Sequence, residues 1–246
     1  MLNITARQEL MRTIVETLGV VVEEARLDFG EDGLSVRVVD PSHVAMIKMD
    51  VDSAAFDTWD VDETKLGLEM RKLKEILTQG QGTDAVDLSH DEATGQVSIK
   101  IGRIDLNMRP LDNTTLNPPN VPELDLPCGV TISGAELAQA IRASKLVGDL
   151  VNMSLTESQF SVNVKGPNSE VNADFSKDEL LAIDCSTAVR SQYSLTYLIP
   201  LAKIFQGIEN VNLRFGENFP LKVTFDFAEG AGHVEYFLAP RVEGEI

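Results

Sequence analysis

Residues 111–127 read LDNTTLNPPNVPELDLP, and this stretch decides how the rest of the chain is read. Pro118, Pro119, Pro122 and Pro127 fix φ and remove backbone donors, so the segment cannot form a helix or a central strand. It holds three asparagines and no basic residue, the composition of an extended linker. It separates a domain over 1–111 from a domain over 128–246, with 112–127 as the connection.

Outward from this divide, the two halves repeat one pattern. Residues 5–18, TARQELMRTIVETL, place Leu10, Ile14 and Leu18 every four positions, the spacing of one helix face. Residues 133–147, SGAELAQAIRASKLV, do the same with Leu137 and Ile141. Each is followed by period-two alternation, Leu34, Val36 and Val38 in one half and Phe160, Val162 and Val164 in the other, which predicts half-buried strands. A second helical pattern follows in each half, at 68–77 and 194–205, and then further strands. These are expected at 85–88, 97–101 and 104–108, and at 211–215, 221–227 and 233–238. The shared order of helix, strands, helix, strands predicts a duplicated α+β unit with mostly antiparallel sheet and helices on one face.

The chain has 246 residues, is 43% hydrophobic and carries a net charge of −18. No apolar run approaches the length of a membrane helix, and no secretory leader pattern opens the chain, so no membrane partner is expected. Two cysteines, Cys128 and Cys185, are too few for a disulfide scaffold or a cysteine zinc cluster. A reduced, cytoplasmic protein without metal or other cofactor is expected. The acidity excludes a broad basic surface for gripping nucleic acid.

Catalytic signatures are absent from the sequence: no GxSxG, no GxxxxGK[ST] and no HExxH. Asp40, Ser42 and His43 have the residue types of a hydrolase triad, but they crowd into four positions around Pro41 instead of converging from distant segments. His43, His90 and His233 are scattered, which argues against a metal site. The four helical segments are more informative. Over 5–18, 68–79, 134–147 and 196–207 they carry a net charge of +3, on a chain that is otherwise strongly negative.

Two segments resemble a known family. Residues 33–46, GLSVRVVDPSHVAM, and 237–243, FLAPRVE, together with 194–204, SLTYLIPLAKI, are similar to the archaeal-type PCNA sliding clamps. The resemblance spans the whole chain and implies a non-enzymatic clamp subunit. Three copies would close into a homotrimeric ring of six similar domains, with helices lining a hole that duplex DNA passes through without sequence preference. Replicative DNA polymerase, flap endonuclease and DNA ligase would dock through short peptides. A clamp loader, replication factor C, would open and close the ring in the cytoplasm, on the nucleoid.

By this resemblance, Arg7, Arg12, Arg71, Lys72, Lys74, Arg142, Lys145 and Lys203 face the DNA. Gly19, Glu75, Thr78, Gln139 and Thr196 stand where relatives are usually basic, so a weak contact is expected. The peptide groove is assigned to Val39, His43, Val44 and Met46, to Val121 and Leu124 of the linker, and to Pro220, Leu221, Phe237, Ala239 and Pro240. Phe237 stands where many relatives have Tyr. Ring closure needs unpaired strand edges, assigned to Ile104, Leu106 and Met108 and to Val171, Ala173 and Phe175. The alternatives are one subunit of a heterotrimeric clamp, or a peptide-binding module with no DNA role.

Overall fold

The computed structural model describes residues 1–242; Glu243, the last residue of the FLAPRVE segment, lies outside the described residues. The chain divides into two units, Met1–Val121 with Phe227–Val234, and Pro122–Asp226 with the chain from Glu235 onward.

In the first unit, Leu2, Ile4 and Ala6 are buried and alternate with more exposed neighbours, so the chain opens as a strand, β1 (Leu2–Arg7), before α1 (Gln8–Leu18). There follow β2 (Glu24–Phe29), β3 (Gly33–Val39), β4 (Ala45–Asp52), β5 (Thr58–Val61), β6 (Thr64–Glu69), α2 (Met70–Leu77), β7 (Ala85–Asp91), β8 (Gln96–Ile101) and β9 (Ile104–Met108). One sheet runs β5-β1-β7-β8-β9, and a second run is β6-β2-β3-β4. Neighbouring strands are antiparallel, with Ile4 opposite Leu88 and Leu27 opposite Leu66. Leu10, Ile14 and Leu18 of α1 are buried, and α1 packs on β1 and β7 beside α2.

The second unit contains β10 (Cys128–Ser133), α3 (Gly134–Ser144), β11 (Leu150–Leu155), β12 (Gln159–Lys165), β13 (Glu170–Ser176), β14 (Ala182–Asp184), β15 (Val189–Ser194), α4 (Leu195–Phe205), β16 (Asn210–Phe215) and β17 (Leu221–Phe227); β18 (Gly232–Leu238) follows. Its strand runs are β14-β10-β16-β17 and β15-β11-β12-β13. The run β15-β11-β12-β13 repeats β6-β2-β3-β4, and β14-β10-β16-β17 repeats β5-β1-β7-β8, so the repetition read from helix spacing extends to sheet topology.

The helices are shorter at their N-terminal ends than their periodicity predicts, because each is entered directly from a strand. Arg7, Glu69, Ser133 and Ser194 sit at the four N-cap positions, and none makes a side-chain cap. Apolar alternation therefore runs into helical spacing with no loop to separate them. Arg7 consequently ends β1 and is not a helix residue.

The first strand-to-helix junction of each unit uses different chemistry at an equivalent place. Gln8 opens α1, and its buried side-chain amide donates at 2.8 Å to the Leu77 carbonyl at the end of α2, which also accepts from the Gly80 N–H at 3.2 Å. Gly134 opens α3, where a Cβ would lie 2.2 Å from the Phe205 carbonyl oxygen and 2.3 Å from that of Ile208. Only a glycine lets the two helix ends approach this closely. Gly134→Ala is expected to cost about 3 kcal/mol by forcing α3 away from α4, measured as a lower urea midpoint for the variant chain.

Both ends of the linker are pinned. The Leu111 N–H donates to the Gly67 carbonyl at 2.8 Å, and Asn113 Nδ2 donates to the Lys65 carbonyl at 2.8 Å. In the second unit, Arg214 Nη2 donates to the Leu126 carbonyl at 3.0 Å. Between residues 113 and 127 the chain has no strand or helix, as the prolines require.

The expectation of reduced cysteines is corrected. Cys128 and Cys185 form a disulfide with a Cα–Cα distance of 4.5 Å. β10 and β14 pair Gly129 with Asp184, which brings Cys128 opposite Cys185, one residue past the end of β14. In sequence they looked unrelated because 57 positions separate them. Closing a loop of that length contributes about 4 kcal/mol in the chain-entropy account.

Candidate functional site

All eight basic residues assigned to the DNA side have exposed side chains. On the first unit, Arg12 Nε meets Glu16 Oε1 at 3.1 Å, and Lys74 Nζ reaches the same oxygen at 3.3 Å. Lys72 pairs with Glu69 at 2.5 Å. On the second unit, Lys145 pairs with Asp149, and Arg142 donates to Gln206. Arg7, Arg71 and Lys203 make no ion pair among the described residues. Six of the eight cations lie on the helices, with Arg7 ending β1 and Lys145 at the C-cap of α3, and four of the eight already hold a carboxylate. The Arg12–Glu16 and Glu69–Lys72 pairs have i,i+4 and i,i+3 spacings; the Lys74 contact with Glu16 joins two helices.

The turn after β3 is organised by one buried side chain. The Asp40 carboxylate accepts hydrogen bonds from the backbone N–H groups of Ser42 at 2.9 Å, Val44 at 2.6 Å and Ala45 at 2.6 Å. His43 adopts φ 56°, a left-handed conformation costly for a side-chain-bearing residue, and its N–H donates to the Asp40 carbonyl at 2.9 Å. The Asp-Ser-His cluster is therefore a backbone-shaping turn. Its result is an outward-facing set: His43 is exposed, and Val39, Val44 and Met46 are half-buried.

The second unit supplies its own set. Pro220, Ala239, Pro240 and Leu124 are half-buried, as is Val121 at the end of the first unit. Leu221 and Phe237 are buried. The Lys222 Nζ lies 5.5 Å from the Phe237 ring centroid, a cation–π contact, and also pairs with Glu235. Before Pro220, the hydroxyls of Tyr193 at 2.8 Å and Ser191 at 3.2 Å both donate to the Phe219 carbonyl. Burial pushes the Tyr193 phenol well above its ordinary value, so it remains a donor. The Phe219 ring is exposed, an aromatic beside Pro220 that the sequence reading passed over.

The two strands assigned to ring closure are both terminal in their sheets, β9 in β5-β1-β7-β8-β9 and β13 in the run ending β11-β12-β13. Ile104 is 42% exposed, and Leu106 and Met108 are half-buried. Val171, Ala173 and Phe175 alternate along β13 as a half-buried apolar row, with Phe175 stacked on Phe160. Each edge therefore carries apolar side chains with no strand beyond it in its own unit.

Two helices laid on antiparallel sheet, repeated once with the same strand order and bearing cations on the helix side, define a two-domain subunit of the DNA-clamp class. Comparison with known proteins agrees. Residues 1–108 match the family described as proliferating cell nuclear antigen, N-terminal domain, and residues 120–241 match its C-terminal domain. The chain is 32% identical over 238 residues to the DNA polymerase sliding clamp of Methanosarcina acetivorans, covering 96% of this chain and 97% of that protein. It is 32% identical over full length to the clamp of Methanococcoides burtonii. Among solved structures, A. fulgidus PCNA, in a complex with the C-terminal region of FEN-1, is similar at a TM-score of 0.93 and 28% identity over the whole of both chains. Thermococcus kodakaraensis PCNA shares the fold at a TM-score of 0.89, with 98% of this chain and 100% of that one covered at 21% identity. The chain belongs to the proliferating cell nuclear antigen family.

Proposed function

We propose that the chain is a DNA polymerase sliding clamp acting as a homotrimer in the cytoplasm, on the nucleoid. The observation that carries this reading is the full-length similarity to archaeal DNA polymerase sliding clamps at 32% identity. Three copies close head to tail, edge β9 of one against edge β13 of the next, and duplex DNA threads the hole lined by the four helices of each chain. Retention then comes from topology. The chain as a whole is repelled by the phosphates at −18, while its exposed helix cations give weak contacts that carry no sequence information.

The ring acts as a scaffold and not as a catalyst. The docking groove is assigned to Val39, His43, Val44, Met46, Val121, Leu124, Pro220, Leu221, Phe237, Ala239 and Pro240, as the family resemblance implies. A peptide that folds into a short helical turn anchors its apolar side chains there. The half-buried Met46 suits a surface that accepts several such peptides. Replicative DNA polymerase, flap endonuclease and DNA ligase are the partners, and replication factor C loads the ring. The flap endonuclease assignment is supported by the similar A. fulgidus protein, whose structure holds the C-terminal region of FEN-1.

The test is loader-dependent retention on nicked circular DNA. The protein is expected to persist on the circle and to slide off once the circle is cut. Arg142→Glu with Lys145→Glu is expected to reduce loading or processivity about tenfold with the trimer intact, because each reversal replaces a phosphate contact by repulsion. Equal loss from circular and linear DNA, or unchanged processivity in the double variant, would count against this function.

A further inference from the structure

Glu16 sits where a carboxylate is locally unfavourable. It lies in the last turn of α1, whose C-terminal end carries the negative pole of the helix dipole and no basic residue. Two cations compensate it: Arg12 from the preceding turn at 3.1 Å and Lys74 from α2 at 3.3 Å, both on the same oxygen. The carboxylate is the recessed member, 23% exposed against 54% for each cation. The cations therefore stand over it toward solvent on the helix side of the unit.

We propose that Glu16 is a positioning residue that restrains Arg12 and Lys74 and so sets how weakly the first unit holds duplex DNA. The inference rests on the reading that the helices face DNA. A free cation that meets a phosphate releases a condensed counterion, whereas a cation already paired with a carboxylate exchanges one anion for another. One acid shared by two bases lowers their combined charge from +2 to +1 in every subunit. The contact is then shallow and tolerant of salt, as suits a ring held by threading that must move along its track. Arg71, with no ion pair among the described residues, keeps its full charge on the same unit.

The experiment uses the assembled ring carrying Glu16→Gln and measures equilibrium binding to linear duplex over a salt series. Binding is expected to tighten by about threefold to tenfold at low salt. The slope of log affinity against log salt is expected to steepen by about 0.9 for each cation newly committed to a phosphate. A ring whose subunits lack Arg12 and Lys74 (both changed to Gln) should show no response to the added Glu16→Gln. A residue that only braces α1 against α2 would alter the unfolding midpoint and leave the salt slope in place. Unchanged affinity and slope in an intact Glu16→Gln ring would overturn the proposal. If Arg142→Glu with Lys145→Glu still weakens binding in that case, the failure lies with Glu16 alone. If those reversals also change nothing, the DNA-facing assignment of the helices has failed.

Discussion

Replacing Ile104 and Leu106 of β9 by Asp is expected to convert the ring to folded monomers that no longer stay on circular DNA. Ile104 is 42% exposed and Leu106 is half-buried on a terminal strand, so within one subunit a carboxylate can remain in water and folding changes little. In the closed ring, the same carboxylates would be buried against the apolar row Val171, Ala173 and Phe175. An unpaired charge in an interface costs about 3–5 kcal/mol, roughly two to four orders of magnitude in subunit affinity. Native mass and circular-DNA retention check the result together. A variant that kept its trimeric mass would show that β9 is not the closing edge.

Asp40→Ala is expected to abolish partner docking while leaving ring assembly intact. The Asp40 carboxylate satisfies three backbone N–H groups and holds His43 at φ 56°, and the residue is 6% exposed. Alanine leaves those donors without acceptors and removes what enforces the left-handed residue. Each lost partner costs about 1–3 kcal/mol, and the turn relaxes to escape the penalty. His43, Val44 and Met46 then lose their common presentation, and affinity for a docking peptide is expected to fall about 100-fold by titration. Asp40→Asn keeps one acceptor oxygen and should fall between. Wild-type affinity in the alanine variant would remove this turn from the groove.

What was legible in the sequence was local. Four prolines marked the linker, since their effect on the backbone needs no tertiary context. Leu10, Ile14 and Leu18 marked α1, because helical spacing survives in a single segment. The strands leading into the helices were lost, since Leu2, Ile4 and Ala6 alternate over only six residues and merge into a helix without a break. Residues that act through distant partners were legible by type but not by role. Asp40 showed itself as an acid beside a histidine, yet its partners are backbone N–H groups. Glu16 drew no notice in the sequence, because its contact with Lys74 depends on how α1 lies against α2. Cys128 and Cys185 meet only because β14 pairs with β10.

The most direct test of encirclement is the native mass of the purified chain over a range of dilution and salt. A self-assembling ring predicts a species of three times the 26.9 kDa chain mass that gives way to single chains as concentration falls. A chain that stays single at every concentration and salt level, alone and when mixed with related subunits, would contradict the account.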